Sequence, residues 1–455
     1  MKPSLLSFDS NGKPVHSNEY KRQRIFNWLP LGLTYAFLYM ARYNLTVSKN
    51  ALGSLMSKED FGIIFAAGTI TYAFSFLING PLTDKFGGRR SILLGAGGAA
   101  VMNLFMGLFL YGILSLGWNL NLTVAFSILY ALNMYFQSFG AVAIVKVNSS
   151  WFHVKERGIF GGIFGILISL GLYFAFDWSQ YIVNFVEKID PANPSYWFVF
   201  WVPAAILIFW FIYDILKLRD YPSQAGYEDF DTGDASSGDE SAFSLKEVIK
   251  KIFTNKVIIF VGLIEFCTGV LRNGVMHWFP IYAKEQLVTA GEMVSSWNFW
   301  LNNWGLLLMV AGASGGMLAG WMSDKFFGSR RAPVAGILYT TLLLATIGMI
   351  FTMHNNPWGL GILVFIISIA VIGTHGMLSG TATMDFGGRK SAGTAVGLID
   401  GLVYLGTGVQ SLSLGFITSW NWNYWPIFLI PFALLGIYFT KTIWNAFPKG
   451  KKAVH

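Results

Sequence analysis

Two arginines stand where the surrounding chain gives them no ordinary reason to be. Arg42 lies inside the apolar run from Phe26 to Val47, and Arg272 inside another from Val257 to about Ile281. A guanidinium does not shed its charge at physiological pH, and at bilayer depth it costs from about 2.5 to well over 10 kcal/mol, depending on the measure. Such a residue is kept where something anionic meets it, because its planar fork of donors takes the oxygens of a phosphate or carboxylate two at a time. Tyr35, Tyr39 and Arg42 follow one another at intervals of four and three, which puts two phenols and the guanidinium on one helical face. There the hydroxyls can share the oxygens of the same anion. Glu265 precedes Arg272 by seven residues on the same face; it is either a charge partner for the empty site or a buried polar anchor. The competing reading of Arg42 is a snorkelling side chain above an interfacial tyrosine belt. Counted from Arg24, Arg42 lies about 27 Å along its helix, and Arg272 lies about 24 Å beyond Lys256. Two arginines at matching depth in two halves of a chain favour a shared anion.

The elements that position them follow from composition. Of 455 residues 54% are hydrophobic and only 12% charged, against about 25% charged in a soluble domain. Runs near 20 residues span a bilayer as helix. Twelve occur, at about 26–47, 61–83, 91–113, 121–147, 158–182, 196–217, 257–281, 297–322, 332–353, 359–383, 391–418 and 423–443. The expected fold is therefore an all-α polytopic membrane protein. Fifty glycines suit helices that approach one another closely in lipid. The first 24 residues are polar and show no removable signal peptide, so the first span is expected to start insertion. A lone Cys267 inside a span excludes an intramolecular disulfide framework.

The net charge of +8 reports topology and not a nucleic-acid partner. With both termini cytoplasmic, only Lys49, Lys58, Lys188 and Lys284 fall on the outer side. Arg42, Lys146 and Arg272 lie in spans, and every other basic residue is inside, which is the positive-inside bias.

The chain also repeats itself. Gly80-Pro81-Leu82-Thr83-Asp84-Lys85-Phe86-Gly87-Gly88-Arg89-Arg90 returns in degenerate form as Gly320, Asp324, Lys325, Gly328, Arg330 and Arg331. A recurrence after an even number of spans is a parallel repeat of six plus six helices, with the substrate path at the interface of the halves. The first motif resembles the loop between segments 2 and 3 of the major facilitator superfamily. That resemblance implies a cytoplasmic latch in which Asp84, Arg89, Arg90, Asp324, Arg330 and Arg331 take part; the alternative is that these loops only set topology and turns. The Trp151-Phe152 and Glu156-Arg157-Gly158 pair of motifs is similar to the segment 4 to 5 junction of the organophosphate:phosphate antiporters. There Lys146 is a gate or latch partner before it is a ligand group, while His153 reads as a solvated loop residue.

Asn255, Glu265, Arg272, Gly274, Trp278, Pro280, Tyr282 and Glu285 resemble segment 7 of the same antiporters, and Ala392-Gly393-Thr394-Ala395 with Tyr404 and Gly406 resembles segment 11. The resemblance implies that Arg42 and Arg272 jointly hold a phosphate group. Three departures leave the exact substrate open. Gly140-Ala-Val-Ala143 replaces a Gly-Trp-Pro-Pro run, and Phe76 and Ile168 stand where glycerol-phosphate exchangers carry a lysine and a histidine. Asp400 is the least expected residue of the second half. It is a candidate for carrying a coupling proton or tuning substrate charge, or else a paired structural carboxylate. His375 and Thr374 have no phase that the sequence fixes.

The expected organisation is a cytoplasmic segment at 1–25, a six-helix bundle at 26–217, a linker at 218–256, a second bundle at 257–443 and a tail at 444–455. Acidic and small residues from Asp220 to Glu240 make the linker too polar to bury. Ser244 and Glu247 form a capping-box pattern that opens a short interfacial helix. The function expected is rocker-switch exchange of a sugar or glycerol phosphate for inorganic phosphate, by a monomer in the bacterial inner membrane, with no cofactor, no metal and no nucleic acid. The alternatives are a proton-coupled carboxylate symporter, in which Asp400 or Glu265 titrates, and a membrane sensor of a sugar phosphate. An enzyme is excluded because metal-ligand spacing, a nucleophile with its base and a phosphate-binding glycine loop are all missing.

Overall fold

A computed structural model describes residues 1–10, 13–153, 156–232, 254, 256–287, 293–328, 330–378 and 392–445. The first half comprises α1 (Asn18–Leu52), α2 (Lys58–Phe86), α3 (Gly88–Leu116), α4 (Leu122–Trp151), α5 (Arg157–Tyr173), a π-helical turn at Phe174–Trp178, α6 (Ser179–Ile189) and α7 (Phe198–Lys217). The second comprises α8 (Lys256–Met276), α9 (Trp278–Leu287), α10 (Val294–Asn302), α11 (Trp304–Phe326), α12 (Arg331–Thr352), α13 (Pro357–Met377), α14 (Ala392–Trp420) and α15 (Tyr424–Thr442). Among the described residues ten stretches of helix are long and apolar enough to cross a membrane. The 35-residue α1 and 29-residue α14 pack among them and complete twelve crossings. The fifth crossing is α5 with α6, and the seventh is α8 with α9.

The internal repeat shows in the packing. α1 lies against α5 and α7, as α8 lies against α14 and α15. α3 lies against α4 and α7, as α12 lies against α13 and α15. The halves meet through α2 on α14, α5 on α11 and α1 on α9. The first of these seams is glycine-made: a Cβ at Gly62 would stand 2.6 Å from the Ser411 carbonyl oxygen, so only glycine lets the two backbones come this close.

The seventh crossing breaks at His277, short of the single span expected from the apolar run. Pro280 supplies the reason, because it has no N–H for the carbonyl four residues back and its ring crowds that carbonyl. The freed Met276 oxygen accepts instead from the Trp304 indole at 2.9 Å. Beyond the break, the outer ends of the halves are tied together. Thr46 Oγ1 lies 2.7 Å from His277 Nδ1, Asn50 donates to the Pro280 carbonyl at 3.1 Å, and Lys58 pairs with Glu285 at 3.1 Å. Asp177, on the π-helical turn, accepts from the backbone N–H of Gly305 at 2.6 Å and Leu306 at 2.9 Å. A carboxylate of one half thus caps the first turn of α11 in the other, where the helix dipole favours negative charge.

The N-terminal segment is more ordered than its polarity suggests. Leu5–Phe8 (β1) and Pro14–His16 (β2) pair antiparallel, and α1 begins already at Asn18 behind the Ser17 cap. His16 anchors the hairpin. Its Nδ1 lies 2.7 Å from the Ser4 carbonyl and its Nε2 lies 3.3 Å from Glu156, which Arg24 also grips at 3.0 Å. The interfacial helix expected around Ser244 and Glu247 falls outside the described residues.

Candidate substrate site

Arg42 is held first by its backbone. The carbonyl of Ala41 accepts from Asn103 at 3.0 Å and Asn133 at 3.1 Å, and the carbonyl of Arg42 accepts from the Tyr130 hydroxyl at 3.0 Å. These donors come from α3 and α4, so the register of α1 is fixed by its own half. The guanidinium is fully buried. Its Nε donates to Gln137 at 2.9 Å, Nη1 to the Tyr404 hydroxyl at 2.8 Å and Nη2 to the Tyr72 hydroxyl at 3.2 Å. Tyr39 and Tyr72 present their ring faces to it at 4.8 and 4.6 Å, a cation–π arrangement that lowers the cost of burial. Every one of these partners is neutral, so the positive charge is solvated without being cancelled.

Arg272 is treated differently. It is only partly covered, its buried Nε has no hydrogen-bond partner, and among the described residues it makes no ion pair. Tyr39, Tyr43 and Tyr404 lie within electrostatic reach of both guanidiniums. The two arginines therefore converge on one set of phenols from opposite halves. The hydroxyl of Tyr43 is buried and unpartnered as well. Tyr35 sits one turn along α1 with its ring edge-on to Tyr39 at 5.4 Å, and it joins the same cluster.

The structure places the other expected residues as follows. Glu265 does not ion-pair with Arg272, as one reading of the spacing proposed. It meets His375 of α13, whose Nδ1 lies 2.7 Å from Glu265 Oε2, and keeps Arg272 as an electrostatic neighbour only. Asp400 is partly exposed on α14, within reach of His375 and Tyr72. Lys146 bonds Asp84 at 2.8 Å, and Arg331 approaches Asp324 at 3.6 Å and donates to Ser323 at 3.0 Å. Arg330 turns back onto the Phe327 carbonyl, Arg89 bonds the Ile215 carbonyl, and Arg90 is exposed. Among the described residues these ion pairs stay within their own halves.

Tyr43, Tyr72, Gln137, Tyr404 and His277 were not anticipated as site residues. Gln137 had one signal. A glutamine four residues after Asn133 in an apolar helix is a polar pair that needs a buried partner. Tyr404 stood only in the segment 11 motif with no role attached, and Tyr72 had no signal, since ordinary aromatic residues at helical spacing read as core.

Arg42 and Arg272, one from each half, thus lie near the same phenols where the two bundles meet. The profile of the Major Facilitator Superfamily matches residues 31–411, and the chain belongs to that family. It is an integral, multi-pass protein of the inner membrane and a transporter by family, not an enzyme. It is 28% identical over 457 residues to the glycerol-3-phosphate transporter of Bacillus subtilis, covering 96% of this chain and 95% of the relative. It is 24% identical over 460 residues to a probable hexose phosphate transport protein of Chlamydia pneumoniae, covering 96% and 95%. The membrane sensor protein UhpC of Escherichia coli matches at 24% over 422 residues, covering 89% and 88%. These relatives are those of the organophosphate:phosphate antiporter family. The fold matches a bacterial homolog of the human lysosomal transporter Spinster with a TM-score of 0.71 at 15% identity, over 94% of this chain and 98% of that one.

Proposed function

We propose that this chain exchanges a phosphorylated small metabolite, a glycerol or sugar phosphate, for inorganic phosphate by rocker-switch alternating access. One observation carries the reading. Arg42 and Arg272 share phenols across the seam, and neither guanidinium has a carboxylate bonded to it among the described residues. A dianionic phosphate supplies what both lack, and Arg272 Nε and Tyr43 Oη are donors still waiting for an acceptor. The names of the relatives from Bacillus subtilis and Chlamydia pneumoniae support the same ligand class.

In this reading residues 26–217 and 257–443 move as two units joined by 218–256. Phosphate neutralises about two charges at the apex, draws α1 and α8 together and lowers the barrier between the two access states. Exchange follows because the empty, doubly positive site crosses that barrier poorly in a low-dielectric interior. When the outer seam opens, the loops that carry Asp84, Arg89, Arg90 and Lys146 and those that carry Asp324, Arg330 and Arg331 close the cytoplasmic side. A monomer suffices.

Proteoliposomes loaded with phosphate test this directly. They are expected to take up labelled glycerol phosphate or hexose phosphate, independently of protonophore, and Arg42→Ala or Arg272→Ala is expected to abolish uptake while the folded protein persists. Uptake that survives in either variant overturns the assignment. Protonophore collapse together with indifference to internal phosphate points to a proton-coupled carboxylate symporter. The similarity to UhpC keeps a sensor as the second reading, and tight binding of a sugar phosphate without flux distinguishes it.

A further inference from the structure

The anion site accounts for the guanidiniums and phenols but leaves a buried polar pair in the second half without a task. Glu265 is fully covered; its Oε2 meets His375 Nδ1 at 2.7 Å, and its Oε1 has no partner. His375 keeps 24% of its side chain exposed, and Arg272 and Asp400 lie within electrostatic reach of it. With Nδ1–H donating to the carboxylate, the imidazole offers Nε2 as an acceptor.

The position of this pair follows from helix geometry. Glu265 lies two turns before Arg272, about 10 Å along the axis. Long side chains on a helix lean toward its N-terminus, so the guanidinium of Arg272 points back toward Glu265. Toward the outer face a bound phosphate meets the closed wall of Tyr43, Phe65 and His277, in which the imidazole stands 4.7 Å from the Tyr43 ring and 4.5 Å from the Phe65 ring. An ester group attached to that phosphate then extends in the other direction, the side on which Glu265 and His375 lie.

We propose that His375, oriented by Glu265, forms a specificity subsite that accepts through Nε2 a hydrogen bond from a hydroxyl group on the organic part of the phosphate ester. Inorganic phosphate engages the arginines and does not reach the pair. The proposal rests on the phosphate reading of Arg42 and Arg272. A site built around acceptors for hydroxyls discriminates against an ester that lacks them, because its buried polar atoms then stay unpaired.

The test uses the full-length protein in detergent and four ligands, namely inorganic phosphate, n-propyl phosphate, glycerol 3-phosphate and glucose 6-phosphate. Affinities are measured by calorimetry for the wild type, Glu265→Gln, His375→Ala and His375→Gln, with thermal unfolding as the check on folding. The wild type is expected to prefer the hydroxylated esters over n-propyl phosphate. In Glu265→Gln and His375→Ala that preference is expected to fall by about tenfold, as the loss of one such hydrogen bond implies, while phosphate affinity stays within twofold and His375→Gln restores part of it. Equal weakening of all four ligands, or unchanged selectivity, overturns the subsite and leaves the arginine reading intact. A wild type that binds none of the four overturns both.

Discussion

Arg42 donates through Nη1 to the hydroxyl of Tyr404 at 2.8 Å, a hydrogen bond that crosses from the first repeat to the second. It joins the halves without a negative charge, so a phosphate bound as proposed competes with a phenol and not with a carboxylate. Displacing a neutral partner is the easier exchange, since a carboxylate would add the attraction of a full opposite charge in a low-dielectric interior.

Lysine cannot replace either arginine. Arg42→Lys and Arg272→Lys keep the charge but lose the planar fork, and each is expected to weaken phosphate binding by at least tenfold. Tyr404→Phe removes only the neutral competitor and is expected to leave phosphate affinity within a few-fold of wild type. Phosphate-induced shifts in thermal unfolding rank the three, and a Tyr404→Phe loss as large as that of the lysines shows that the phenol is itself a ligand group.

The Asp177 cap makes a prediction about conformation. Asp177→Asn leaves one acceptor for the N–H groups of Gly305 and Leu306 but removes the charge at the start of α11, an interaction worth about 0.3 to 2 kcal/mol. The balance between access states is expected to move toward the outward-open one. Spin labels at Ser54→Cys and Ser295→Cys, both exposed on the outer face, report this in a Cys267→Ala background; an unchanged distance distribution removes the cap from the closing mechanism.

Two glycines separate closure from folding. At Gly62 a Cβ meets Ser411 across the seam at 2.6 Å, while at Gly269 it meets the Val403 carbonyl oxygen within the second half at 2.0 Å. Gly62→Ala is expected to widen the outer label distance with little change in melting temperature. Gly269→Ala is expected to lower the melting temperature by several degrees, consistent with overpacking of about 1–3 kcal/mol. A fall in stability for both places the two contacts in one folding unit.

The hairpin predicts a pH dependence outside the membrane. Burial raises the Glu156 carboxyl, but the hydrogen bond with His16 and the ion pair with Arg24 outweigh it, and the carboxyl titrates below its ordinary range. A depressed carboxylate contributes stability above its unfolded value of about 4.3 and loses it as pH falls through the lower folded value. Proteolytic protection of residues 1–16 is expected to be weaker in Glu156→Gln than in wild type at pH 7, with the difference closing below about pH 4. Equal protection at pH 7 excludes the carboxylate as the anchor.

Much of this architecture can be read directly from the chain. Apolar runs near 20 residues announce the crossings, and the paired loop motifs at Asp84 and Asp324 announce the repeat that recurs in the helix packing. Tyr35, Tyr39 and Arg42 come together because they share one helix, where spacing alone determines the face. The rest of the cage depends on rotations that no local pattern encodes. Tyr72, Gln137 and Tyr404 reach Arg42 from positions 30, 95 and 362 residues away. Tyr43 follows Tyr39 by one turn, and nothing in the spacing separates it from core, since at a seam between halves several faces of α1 are buried at once. The hairpin of β1 and β2 is too short for strand alternation to stand out and exists through His16 and its partners.

Because an indole from α11 holds the Met276 oxygen, the seventh crossing has a joint one turn past Arg272. The stub beyond it, from Trp278 to Leu287, carries Pro280 and Glu285, two of the groups that bolt the outer seam. Bending there is eased because the proline has already removed the rung to Met276. The stub can therefore swing with the far wall while the guanidinium beneath keeps its place.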